Sequence, residues 1–135
     1  MRAWMFLTPL LPLLSACAGG GQPARLTEKQ AAQLESALAG KVAGEPVSCV
    51  FRQPNANLTA ISDSVLLYRV SPRLVYRNDL IGSCIGLGRG DTLVVKTWGS
   101  QYCRGDIARS ADLATGMVTG GCALGSFTPY RTPGR

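Results

Sequence analysis

At 135 residues the chain has room for one domain, and 46% apolar against 16% charged residues suits a folded protein rather than a disordered one. The formal charge is +6, but the arginines stand singly, so no basic run marks a nucleic-acid partner. Histidine is absent, which removes the commonest general base and metal ligand and excludes Ser/His/Asp and Cys/His nucleophile systems.

Residues 1–16 have the layout of an export signal. Arg2 supplies the positive end, Met5 to Leu14 an apolar stretch too short to span a bilayer, and Ser15-Ala16 a small-residue cleavage point. Leu14-Ser15-Ala16-Cys17 resembles the lipobox of bacterial lipoproteins. That resemblance implies cleavage before Cys17, acylation of Cys17, and attachment to a membrane by several chains, which hold where one chain binds only marginally. Ala18 follows in place of aspartate. Under the family's sorting rule this implies the outer membrane, facing the periplasm, rather than the inner one.

Residues 17–26, with Gly19-Gly20-Gly21, form a flexible tether. Thr27-Glu28-Lys29-Gln30 fits a capping box, Ala31, Leu34 and Leu38 recur at helical spacing, and Gly40 suits the end, so 27–40 predicts one amphipathic helix lying as a spacer or lid. From Pro46 the pattern changes to short β-branched and aromatic runs separated by Gly, Pro, Asn and Asp. Strands are expected near 47–52, 59–62, 65–70, 73–77, 80–85, 91–98, 102–109 and 117–124. Turns are expected at Ser71-Pro72, Gly86–Gly90, Gly99–Gln101 and Asp112–Gly116. The fold class expected is mainly β: an antiparallel meander over 46–128, curled into a bent sheet or small barrel, with 129–135 as a flexible tail.

With Cys17 assigned to the anchor, Cys49, Cys84, Cys103 and Cys122 remain, an even set in an oxidising compartment, so two disulfides are expected. No pair has C-x-x-C spacing, against a redox centre or a zinc knuckle. Three connectivities are possible. The expected one is Cys84–Cys103 with Cys49–Cys122, the latter tying the first strand to the last.

Ser48-Cys49-Val50-Phe51-Arg52, Leu66-Leu67-Tyr68-Arg69, Leu74 to Leu80, Ser83-Cys84, Gly99 to Asp106 and Gly121-Cys122 come in an order that resembles a family of small exported four-cysteine proteobacterial proteins known only as a domain of unknown function. The resemblance covers about 48–128. It implies the architecture and no activity, cofactor or catalytic residue.

No other motif rises above its ordinary structural meaning. Gly86 to Gly90 lacks the spacing, lysine and following helix of a phosphate loop and reads as a turn. The two Arg-Gly-Asp triplets, at 89–91 and 104–106, read as strand entries. Asp79, Asp91 and Asp106 would support acid–base chemistry only if the fold brought them together; ion pairs with Arg77, Arg89 and Arg104 are the expectation. Tyr68, Tyr76 and Tyr102 are expected in the core, and Trp98, beside Gly99, at the surface. Trp98, Arg89 and Arg104 are the candidate contact residues. No catalytic, cofactor or metal site is expected. The reading is a lipid-anchored, non-enzymatic envelope module binding a protein or glycan, with a carboxylate-based cell-wall glycan hydrolase and an inhibitor of an extracellular hydrolase as alternatives.

Overall fold

The computed structural model describes residues 25–134. The export signal, Cys17 and most of the tether lie outside the described residues.

The helix α1 covers Glu28–Leu38. The Thr27 hydroxyl accepts from the Gln30 N–H, and the Gln30 side chain accepts from the Thr27 N–H, so both halves of the capping box are made. Ten strands follow: β1 (Val42–Ala43), β2 (Cys49–Phe51), β3 (Asn57–Ala60), β4 (Val65–Ser71), β5 (Leu74–Asp79), β6 (Thr92–Lys96), β7 (Gln101–Cys103), β8 (Ile107–Asp112), β9 (Met117–Ala123) and β10 (Phe127–Arg131). They form three open antiparallel sheets: β1-β10-β5-β4-β3, β2-β7 and β6-β8-β9.

Strand β4 explains the layering. Val65, Leu66, Leu67 and Tyr68 are all buried, because this strand is covered on both faces. Val65 and Leu67 meet Leu34 of α1 together with Ile61 and Val75, so the helix is a lid on one face. Leu66 and Tyr68 point the other way, into the larger core with Val50, Leu87, Ala108, Leu124 and Phe127, which the two smaller sheets complete. The Tyr68 ring packs edge-on against Tyr102 and stacked with Tyr76. Its hydroxyl donates to the Phe51 carbonyl at 3.0 Å and accepts from the Gln53 N–H at 2.9 Å, so the tyrosine clamps the exit of β2 to the large sheet.

The chain is a meander only in part. Ser71-Pro72 and Asp112–Gly116 turn hairpins as expected, joining β4 to β5 and β8 to β9. Gly86–Gly90 instead holds a short 3₁₀ turn at Leu87–Arg89, with Gly86 and Gly90 at φ 105 and 107°. No hairpin forms at Gly99, because β6 pairs with β8 and β7 pairs with β2. The expected strand 80–85 is reduced to one bridge, Ile81 to Ala123. The expected strand 102–109 is cut by a turn at Arg104-Gly105-Asp106, where the Asp106 carboxylate accepts from the Cys103 N–H at 2.8 Å.

The first residues of the expected tail, Pro129 to Arg131, belong instead to β10, which lies between β1 and β5. Pro129 is tolerated there because Phe127 exchanges both backbone bonds with Val47, and the Pro129 carbonyl accepts from Gly44. Residues of this parity face away from β5, so the missing N–H falls beside the two-residue edge β1. The junction before β10 needs glycine: a Cβ on Gly125 would collide with the Asp79 carbonyl, and the Gly125 amide exchanges two 2.8 Å bonds with the buried Asn78 side chain.

The disulfides are Cys49–Cys103 and Cys84–Cys122, not Cys84–Cys103 and Cys49–Cys122. The expected pairing took the strands to follow one another in a meander curled enough to bring Cys84 to Cys103 and the first strand to the last. Because β7 pairs with β2, Cys49 lies directly opposite Cys103, with Cα atoms 4.1 Å apart. Cys84, freed from any strand, meets Cys122 of β9 at 5.2 Å.

Candidate functional site

The three aspartates are each engaged by different partners. Asp79, at the end of β5, is held through both oxygens by the Arg77 guanidinium at 2.9–3.3 Å. Donating to the Asp79 carboxylate raises the Arg77 pKa above its ordinary value. Asp91, ahead of β6, accepts from the Thr119 hydroxyl at 2.7 Å and from Arg89 at 3.1 Å. The Thr119 hydroxyl, with Arg89 adding to it against the opposing effect of burial, holds the Asp91 carboxyl below its ordinary range. Asp106 serves the β7–β8 turn. Its expected partner Arg104 reaches Ser126 instead, at 3.4 Å. Asp79 thus pairs along β5, Asp91 ties the glycine loop to β9 and Asp106 braces the β7–β8 turn, and no hydrogen bond joins any two of them.

The glycine loop has a structural reason for its composition. A Cβ on Gly86 would strike the Asp91 carboxylate. The Gly88 N–H donates to Asp63 at 2.7 Å, pulling the loop against the start of α1. A cleft of about 310 Å³ remains there, lined by Arg25, Gln30, Asp63 and Arg89 among others. Arg89 is committed to Asp91, so the cleft offers hydrogen bonds rather than an unpaired charge from the loop.

Trp98 is 84% exposed, as its place beside Gly99 suggests. The Lys96 ammonium sits 5.3 Å from its ring centroid. Next to it on the outer face of β6 and β8 are Val94 (51% exposed), Ile107 (52%) and Arg109, around a small hollow. The register Val94↔Arg109 and Lys96↔Ile107 puts an apolar and a cationic residue opposite each other twice. This face can receive a flat or anionic group; of the other candidate contact residues, Arg89 pairs with Asp91 and Arg104 reaches Ser126, and neither lines the hollow.

A third feature escaped sequence reasoning. Lys29 and Lys41 flank α1 and Arg69 lies on β4, and all three line one groove of about 720 Å³. The helical spacing of Lys29 is visible in sequence, but only the packing of α1 on Val65 and Leu67 shows that Arg69, on the same face of β4, lies on the helix side.

Among the described residues no cluster of three His, Cys, Asp or Glu side chains is placed to hold a metal ion, and no helix is long and apolar enough to cross a membrane. Comparison with protein-family models, with curated proteins and with solved structures finds no match.

Proposed function

We propose that the protein is a non-enzymatic binding module of the bacterial cell envelope, exported on residues 1–16 and held to the outer membrane, on its periplasmic side, by a lipidated Cys17. The observation that carries the binding-module reading is the occupation of the aspartates: Asp79 and Asp91 are engaged by arginine, and Asp106 caps a turn. A glycan hydrolase of the carboxylate type needs two such groups facing across a bond, about 5–9 Å apart, with one free to donate a proton. Here the Arg77 guanidinium occupies both oxygens of Asp79, and the Thr119 hydroxyl with Arg89 favours the charged form of Asp91. The two disulfides fit an oxidising, extracytoplasmic compartment.

Two measurements test the proposal. Cys17→Ser is expected to move the protein from the membrane fraction to the soluble periplasm; an acylated, membrane-bound Cys17→Ser protein overturns the anchor. The full chain incubated with purified peptidoglycan is expected to release no soluble fragments; turnover that is lost in Asp79→Asn or Asp91→Asn overturns the non-enzymatic reading.

A further inference from the structure

The groove beside α1 combines two features that point to one kind of ligand. The first is charge. Lys29 on the helix, Lys41 beyond it and Arg69 on the sheet line the groove with Gln33, Ser36 and Thr59, and no acidic residue lines it. On the helix Lys29, Gln33 and Ser36 share one stripe, and Glu28 and Glu35 fall off it. Among the described residues neither Lys29 nor Arg69 is in an ion pair, and the Lys41 ammonium reaches only the Ala37 carbonyl, at 3.4 Å. A second hollow of about 350 Å³ shares Ala37, Lys41 and Arg69 and carries the groove on to Asn57 and Ser71.

The second feature is a free strand edge. β3 is the last strand of its sheet and bonds only to β4. The Ile61 N–H donates to the Val65 carbonyl, so by alternation Thr59 and Asn57 bond towards β4, while the N–H and C=O of Leu58 and Ala60 point outwards. The Ala60 side chain packs into the core on the opposite face, so Ala60 can line the groove only through its backbone at this edge.

We propose that the groove takes an extended acidic peptide segment of a partner protein, which adds as a further strand along β3 and sets carboxylates against Lys29, Lys41 and Arg69. A phosphate group or lipid headgroup would answer the cations but leave the outward carbonyls of Leu58 and Ala60 without donors. A peptide strand satisfies both rows, and alternate side chains about 7 Å apart fall on the helix side. The inference rests on the binding-module reading and names the partner class.

The test uses the full chain in neutral detergent and a fluorescein-labelled peptide of alternating Glu and Thr, followed by anisotropy. Saturable, salt-sensitive binding is expected. Arg69→Glu and Lys41→Glu should each weaken it about tenfold, a loss of about 1.4 kcal/mol. Ala60→Pro removes an outward N–H without touching the β4 ladder and should weaken binding at least fivefold with an unchanged circular dichroism spectrum. Should that variant not fold, N-methylation of alternate peptide amides reads the same bond from the ligand: methylation in one register must abolish binding and in the other leave it. No saturable binding, equal loss with both methylation registers, binding indifferent to Arg69→Glu, or preference for phosphatidylglycerol vesicles or polyphosphate over the peptide overturns the inference. Peptidoglycan turnover is a separate readout, so a failed groove and a failed binding-module reading are told apart.

Discussion

Tyr68→Phe isolates the contribution of one hydroxyl to the junction between two sheets. The ring is 1% exposed and its packing on Tyr102 and Tyr76 survives the change. What is lost is the pair of bonds to the Phe51 carbonyl and the Gln53 N–H. Each bond contributes about 1 kcal/mol net, and each backbone group left dry and unpaired costs about 1–3 kcal/mol. Phe51 and Gln53 are themselves exposed, so water recovers part of this, and the expected destabilisation is about 2 kcal/mol. That is roughly a thirtyfold shift in the folding equilibrium and a melting temperature lower by about 10 °C. Urea unfolding followed by circular dichroism, with the disulfides intact, measures the first. Hydrogen exchange at the Gln53 amide measures the second consequence, faster opening of the segment after β2. A loss below about 0.5 kcal/mol with unchanged Gln53 protection would refute the clamp.

Two further predictions concern the staples and the charges. Non-reducing peptide mapping is expected to recover Cys49 joined to Cys103 and Cys84 joined to Cys122, and replacing the Cys49–Cys103 pair by alanine to cost about 2–4 kcal/mol; a Cys84–Cys103 peptide would contradict the strand order. For Asp91 the folded-state pKa lies below its ordinary value, so its contribution to stability is present above that ordinary value and is lost as pH falls through the lower, folded one. Thr119→Val removes the largest cause, and carboxyl NMR should show the Asp91 titration moving upwards; an unmoved titration would show that Arg89 alone sets it.

Much of the local structure is legible without coordinates. The capping box at Thr27, the hairpins at Ser71-Pro72 and Asp112–Gly116, the continuous apolar run of β4 and the exposed Trp98 each follow from residues within a few positions of one another. β10 is not legible in the sequence, because Pro129 interrupts its short run and a proline is admissible in a strand only where its missing N–H meets a short edge. The candidate site was hidden for a related reason. Arg69 looks like any other dispersed arginine until α1 packs on its face of β4, and β3 is an edge only in the assembled sheet.

The sequence by itself determined the class of the domain: mainly β, one capped helix in front, four cysteines available for pairing, and no histidine chemistry. Only the tertiary structure decided which strands meet. Antiparallel pairing between β2 and β7, far apart in the chain, is rewarded by burial of Val50 in the larger core, and no local propensity encodes it. That pairing sets Cys49 opposite Cys103. The packing around it engages each aspartate separately, and the order of the large sheet leaves β3 as an open edge beside three cations.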